Sequence, residues 1–319
     1  MATVLKPGWS KPSTILFATE IPANEKAFSF ALAQAIEFGA ELILFHAYDT
    51  LVVSALESSS VLYYDAAAAA RDEMEYLEPM AERARDEGVE CETVVRPGLA
   101  ADQILTYQRE RKIDRIVMGT HSPGPIGKLL IGSVAEAVLR KASVPVFIVG
   151  PEVVNCADNN FAIRSILCGV SLHESSSMVA GFAAELAAGH NARLVLQHVI
   201  RPQERHDVLA GREIYQIENQ LVSLVPVALR RRIAVQPMVS LGDPTEELLN
   251  QSCAQPTDLI VLGAQGASAF AAVARLGVVY KMLAHARCPV MTLSPVVLAA
   301  SGAKIAMVHS DEVFLAGVF

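Results

Sequence analysis

Short apolar runs recur along the chain, each followed by a longer stretch in which apolar residues return every three or four positions. In the first half the runs predict strands over Thr14–Thr19, Glu41–Ala47, Glu90–Arg96, Arg115–Gly119 and Val144–Val149. The stretches between them predict helices over Asn24–Phe38, Asp65–Glu87, Ala100–Arg111 and Ser133–Lys141, the second carrying the strong helix formers Ala66–Ala70. Ile116–Met118 and Val144–Val149 show no apolar/polar alternation, as expected of strands covered on both faces. The second half repeats the order, with strands near Arg164–Val170, Arg193–Val199, Ile233–Ser240, Asp258–Gly263 and Cys288–Leu293. Strand and helix in alternation specify an α/β fold: doubly wound parallel five-stranded sheets, Rossmann-like, with helices on both faces.

The two halves are copies. A shift of 144 positions carries Val95-x-x-Gly98 onto Val239-x-x-Gly242, Asp114–Gly119 onto Asp258–Gly263, and Pro145-Val146 onto Pro289-Val290. A shift of about 152 superposes Leu42–His46 on Leu194–His198. Such a period is too long for a solenoid and marks duplication of a whole domain. Two units are expected, 11–150 and 160–296, divided in the polar stretch Pro151–Asn160, with an extension over 297–319. The length of 319 residues agrees, being about twice the ~150 typical of one domain.

Composition narrows the function classes. With 52% hydrophobic and 19% charged residues the chain is not disordered. Its mean hydropathy of +0.35 is high, yet the longest stretches without a charge, Leu259–Ala274 and Cys288–Ala303, are interrupted by Gly or Pro and fall short of the ~20 residues of a spanning helix. A net charge of −8 argues against nucleic acid as a partner. The one basic run, Arg230-Arg231-Arg232, reads as a solvated helix end. Met1–Thr14 has no apolar segment or cleavage site of the secretory kind, so a cytoplasmic location is expected. The five cysteines lie far apart without metal-ligand spacing and read as reduced thiols.

Open parallel sheets bind ligands beyond the carboxyl ends of strands, where strand order reverses. The loop after the fourth strand fits that place: Gly119-Thr-His-Ser122-Pro-Gly124-Pro-Ile-Gly127-Lys128, then Gly132-Ser133 opening the last helix. Glycines permit close backbone approach, and a helix amino terminus attracts an anion by about 0.3–1 kcal/mol. Ser133 adds a hydroxyl; it also reads as an N-cap, with Glu136 completing a capping box, and the two roles are compatible.

The pattern Val117-Met118-Gly119-x-x-Ser122, nine residues, Gly132-Ser133, then Val144-Pro145-Val146-Phe-Ile-Val149 resembles the universal stress protein family in its ATP-binding branch. The resemblance covers both repeats. It implies ATP, with or without Mg²⁺, bound by Ala18, Thr19 and Glu20 after the first strand, Ala47 after the second, and Met118, Gly119, His121, Ser122, Gly132, Ser133, Val134 and Ala135. Two departures stand out: Ser122 replaces the family's second glycine, and Glu20 its first-strand aspartate. In the second half, ungapped alignment sets Leu276 and Gly277 at the positions of Gly132 and Ser133, and about Ser171 at that of Glu20, which implies a degenerate loop. The family also implies pairing through the last strand, here within one chain as a pseudo-dimer, with further dimerisation of whole chains left open.

Other residues carry blander roles. His46 and His198 recur in both halves and read as hydrogen-bonding or packing residues. Asp114 and Asp258 read as turn-fixing residues, and His121 as either a phosphate or ribose contact or a solvated loop residue. No catalytic triad, metal motif or carboxylate pair is visible, so hydrolysis is expected to be slow or absent. The expected function is nucleotide-dependent stress signalling through an unidentified protein partner; the alternative is an interaction module that has lost its nucleotide.

Overall fold

The computed structural model describes residues 7–48, 66–120, 132–154, 161–172, 176–201, 211–263, 277–294 and 296–297. Residues 51–64 and the extension beyond Val297 lie outside them.

The strands of the first repeat are β1 (Thr14–Ala18), β2 (Glu41–Tyr48), β3 (Cys91–Pro97), β4 (Arg115–Gly119) and β5 (Val146–Val149). Those of the second are β6 (Ser165–Gly169), β7 (Arg193–Ile200), β8 (Val235–Leu241), β9 (Leu259–Gly263) and β10 (Val290–Leu293). The described helices are α1 (Pro7–Ser10), α2 (Glu25–Phe38), α3 (Ala66–Asp86), α4 (Ala100–Glu110), α5 (Ser133–Lys141), α6 (Ser176–His190), α7 (Gly211–Ser223), α8 (Val227–Arg230), α9 (Pro244–Ala254) and α10 (Val278–His285).

The two expected sheets are one. The strand order is β3-β2-β1-β4-β5-β10-β9-β6-β7-β8, ten strands in a single sheet. Pairing is parallel within each half and antiparallel only between β5 and β10. All four residues of each junction strand are buried. Without the partner, β5 would expose an apolar edge, the kind of surface that natural sheets cover.

Alternate side chains of each strand enter opposite layers. Ile15 and Phe17 join an apolar cluster with Phe28, Phe30 and Leu32 of α2 and Phe182 and Leu186 of α6. Leu16 and Ala18 join the other, with Ile104 of α4, Val138 of α5, Leu248 of α9 and Met282 of α10. Because these clusters cross from one repeat to the other, the halves share their cores. Helices α2 and α6 are buried along most of their length, which explains their nearly all-round apolar sequence.

A polar knot binds the halves on the first layer. Arg115, fully buried on β4, donates to the Gln34 side chain and to the carbonyls of Trp9 (3.2 Å) and Ser10 (3.4 Å), with Phe38 and Phe147 rings beneath its guanidinium. Burial pulls its pKa down to about 9, against the pull of Glu37 and Asp114. From α6, His190 Nδ1 meets Glu37 Oε1 at 2.7 Å, its ring edge-on to Phe38. Trp9 packs on Phe182, which fastens the amino-terminal segment to the second repeat.

Arg230, Arg231 and Arg232 are exposed at the end of α8, as the sequence implies. The thiols are poor nucleophiles where buried: desolvation pushes Cys168 and Cys288 up to about 12. Among the described residues no helix is long and apolar enough to cross a membrane.

Candidate functional site

Strand order in the first repeat reverses between β1 and β4, so the crevice expected of an open α/β sheet lies beyond their carboxyl ends. The register brings Ala18 beside Met118 on one side and Phe45 on the other. Ala18 and Met118 are buried; Thr19, Ala47 and Gly119 are half-buried, and Glu20 is exposed. Thr19 continues the ladder through its amide to Phe45 O at 2.9 Å, and its hydroxyl donates to Glu20 O at 3.0 Å. Ala47 lies one strand further out, opposite Arg96 of β3. These positions form one edge of the sheet. His121, Ser122 and Lys128 lie outside the described residues.

Gly119 has a reason internal to the fold. A Cβ there would stand 2.6 Å from Cβ, Cγ and Nδ2 of Asn24. Asn24 caps α2, its Oδ1 accepting from Ala27 N at 3.0 Å, and its amide reaches Thr120 O at 3.4 Å. Thr120 N in turn donates to Val149 O at 3.1 Å. The chain therefore leaves β4 along a fixed path between β5 and the start of α2. In the second repeat Gly263 is held glycine in the same way, by Val179 at 2.7 Å.

Gly132 has no such reason. It is the N-cap of α5 with φ −54° and ψ 146°, a conformation open to any residue, and among the described residues no atom beyond its chain neighbours lies within 4 Å of where its Cβ would be. This corrects the expected capping box. Ser133 is the first helical residue, not the cap, and α5 has no side-chain cap bond; Glu136 turns instead to Arg140 at 3.3 Å. The first intrahelical bond runs from Glu136 N to Gly132 O at 3.0 Å. The amides of Ser133, Val134 and Ala135 thus precede the helical ladder, with Gly132 and Ser133 exposed, Val134 half-buried and Ala135 buried. A helix start without a side-chain cap suits an anion.

The second repeat follows the ungapped alignment through this helix but starts it one residue later. Gly277 is the N-cap of α10, with φ −67° and ψ 155°, and Lys281 N donates to its carbonyl at 3.3 Å. The caps Gly132 and Gly277 are therefore 145 positions apart, whereas the C-caps Ala142 and Ala286 are 144 apart: α10 is one residue shorter at its start. The glycine is retained. What changes is the next residue, Val278 in place of Ser133. After β6, the position of Ala18 is Gly169, against which Leu248 and Leu262 close to within 3.2 Å of a Cβ, and Ser171 stands where Glu20 does.

The repeated polar residues prove to be braces. His46 Nδ1 meets Thr19 O at 2.9 Å and His198 Nδ1 meets Val170 O at 2.8 Å, the same bond in both halves. His46 has in addition Glu73 of α3 at 3.9 Å from Nε2. Asp114 Oδ2 accepts from Ser13 N and Thr14 N, and Asp258 Oδ2 from Arg164 N and Ser165 N. Each aspartate thus anchors the start of the neighbouring first strand, not its own turn. Among the described residues no group of three or more His, Cys, Asp or Glu could hold a metal ion.

The family model described as the universal stress protein family matches residues 12–150 and again 162–294. The chain belongs to the universal stress protein family. Similar to it are universal stress protein YxiE of Bacillus subtilis, 28% identical over 133 residues, covering 40% of this chain and 90% of that protein, and a universal stress protein of Thermus aquaticus, 32% identical over 143 residues, covering 43% and 97%. Each is matched nearly end to end by less than half of this chain, as expected of a tandem member. A solved universal stress protein from Archaeoglobus fulgidus superposes with a TM-score of 0.68 at 17% identity, covering 90% of this chain and 97% of that one. That likeness concerns the fold across both repeats.

Proposed function

We propose that the first repeat binds ATP across the carboxyl ends of β1 and β4, with the phosphates on the start of α5, and that the protein is a nucleotide-dependent stress-response protein. The observation that carries this reading is Gly132: neither its backbone conformation nor any neighbour among the described residues requires glycine there, and no side-chain cap bond takes the leading amides of α5. Ala18, Thr19 and Ala47 would face the base and ribose, with Glu20 in the role of the family's aspartate. Gly132, Ser133, Val134 and Ala135 would hold the phosphates, and His121 and Ser122 belong to the loop between. Mg²⁺ accompanying the nucleotide would be held by phosphate oxygens and water, consistent with the donor set of the described residues. Among the described residues no side chain is arranged to activate a water, and the expected turnover is slow or absent.

The second repeat supports a different reading of itself. Val278 offers no hydroxyl, Ser171 no carboxylate, and leucines fill the space beside Gly169. It serves as scaffold and interaction surface.

Calorimetric titration with ATP tests the proposal: one site per chain is expected. Ser133→Val, which gives α5 the residue that follows the cap in α10, removes a hydrogen bond to a charged group worth about 1.5–3 kcal/mol and should weaken binding at least about tenfold. No binding, two equal sites, or an unchanged affinity in the variant would overturn it.

A further inference from the structure

An open sheet has two edges, and each repeat supplies the same strand to one of them: β3 ends the sheet on one side and β8 on the other. In a parallel strand alternate residues turn their N–H and C=O to opposite sides. Leu42 N donates to Glu90 O and Gly98 N to Tyr48 O, each at 2.8 Å, so the even-numbered residues of β3 bond β2. Cys91, Thr93, Val95 and Pro97 therefore point their peptide groups outward. Bonds from Leu194 N to Ala234 O at 2.9 Å and from Gly242 N to Ile200 O at 3.0 Å set the same alternation in β8, whose outward residues are Val235, Pro237, Val239 and Leu241.

The two edges differ in chemistry. Pro237 stands 144 positions after Thr93 and takes its place in the middle of the edge, where it has no N–H to offer a further strand. β3 has no such guard: its one proline, Pro97, is the last residue of the strand. Among the described residues nothing takes the outward amides or carbonyls of Thr93 and Val95. The outward carbonyl of Cys91 accepts from the Arg85 guanidinium at 3.3 Å. Charge differs too. Glu92 and Arg96 lie on one face of β3, where β8 has the neutral Gln236 and Ser240. Both charges are held in place: Arg96 lies over the Tyr107 ring at 4.5 Å and pairs with Glu110 at 2.8 Å, and Glu92 pairs with Arg111 at 2.8 Å.

We propose that β3 is the edge at which two copies of the chain pair, antiparallel, about a twofold axis at Val94. In that register Thr93 of each copy exchanges N–H···O bonds with Val95 of the other, and Cys91 N donates to Pro97 O. The ladder leaves one carbonyl, Cys91 O, facing a proline that has no N–H, and that carbonyl is the one Arg85 already satisfies. Glu92 of each copy stands opposite Arg96 of the other, so signs alternate across the interface along Arg111, Glu92, Arg96 and Glu110. A twofold pair requires such self-complementarity, which favours a second copy over a strand of another protein. On the opposite face α3 packs on β3, and the side of that helix which sends Arg85 to the edge carries the exposed Met74 three turns earlier. The interface does not depend on the nucleotide reading of α5.

Sedimentation velocity of the full chain across the micromolar range tests this. The parent chain should be a dimer that dissociates on dilution. Thr93→Pro, which copies Pro237, should be monomeric at concentrations where the parent is paired, with an unchanged circular dichroism spectrum. Glu92→Lys and Arg96→Glu each set like charges opposite one another in a self-pair and should raise the dissociation constant about tenfold. An equimolar mixture of these two variants restores opposite charges at both contacts and should pair as tightly as the parent. Neither damage to the fold nor dimerisation through another surface would produce that recovery. A parent chain that stays monomeric overturns the inference and leaves the edge to a strand of another protein. A Thr93→Pro chain that pairs like the parent, or charge variants that pair alone as well as they pair together, overturns it too.

Discussion

Two glycines bound the candidate loop, and alanine at each separates what the fold requires from what a ligand requires. At Gly119 the added Cβ would stand 2.6 Å from three atoms of Asn24, against the ~3.5–4.0 Å of an ordinary carbon contact, so the side chain must retreat by about 1 Å. Overpacking of this kind costs about 1–3 kcal/mol, and losing the Asn24 cap on Ala27 N adds about 1 kcal/mol. At about 2–4 °C per kcal/mol, the midpoint of thermal unfolding of Gly119→Ala should fall by at least about 4 °C. At Gly132 the Cβ enters open space at φ −54°. The entropy gained by replacing glycine, ~0.4–1 kcal/mol, is offset by alanine's poorer capping, so the melt should barely move. If phosphate occupies that space, however, ATP affinity in Gly132→Ala should drop about tenfold, or ~1.4 kcal/mol. Differential scanning fluorimetry with and without ATP reads both effects. A Gly119→Ala chain that melts with the parent refutes the packing argument; a Gly132→Ala chain with parental affinity refutes the argument that the open cap receives the phosphates.

The remaining prediction concerns the junction of the repeats. Burial, opposed by Glu37 and helped by Arg115, holds His190 below the ordinary histidine pKa, and among the described residues nothing bonds its buried Nε2. Its contribution is therefore complete above about pH 6.5, where the unfolded chain is also neutral, and is lost as pH falls below that value and only the unfolded chain takes up the proton. Urea unfolding should show stability declining from pH 7 to 5, with a shallower decline in His190→Gln; identical slopes in the two chains would contradict the assignment.

The strands were legible because those buried on both faces, such as Ile116–Met118, read as continuous apolar runs whichever way the chain packs. Fusion of two sheets into one was visible in two steps: the apolar β5 and β10 announced an edge to be covered, and the family resemblance implied that each would be the other's partner, as the ten-stranded sheet shows. Ungapped alignment holds for β4 and β9 and for the C-caps Ala142 and Ala286, but it could not show that α10 starts one residue late, so that Gly277, aligned with Ser133, does for α10 what Gly132 does for α5. The knot of Trp9, Gln34, Glu37, Arg115 and His190 left no sequence signal at all. Its members are drawn from α1, α2, β4 and α6, and each alone reads as an ordinary surface or core residue. The aspartate braces show the same limit: Asp114 signals a turn by type, whereas its acceptor role toward Ser13 and Thr14 depends on β1 and β4 being neighbours.

Hydrogen–deuterium exchange of the full chain with and without ATP tests the central claim most directly, because it reports where along the backbone a ligand is held. The account predicts slowed exchange at the amides of Thr19, Glu20 and Ser133 to Ala135, with no change at Val170, Ser171 and Val278 to Tyr280. Protection confined to the second repeat, or equal in both, would contradict it.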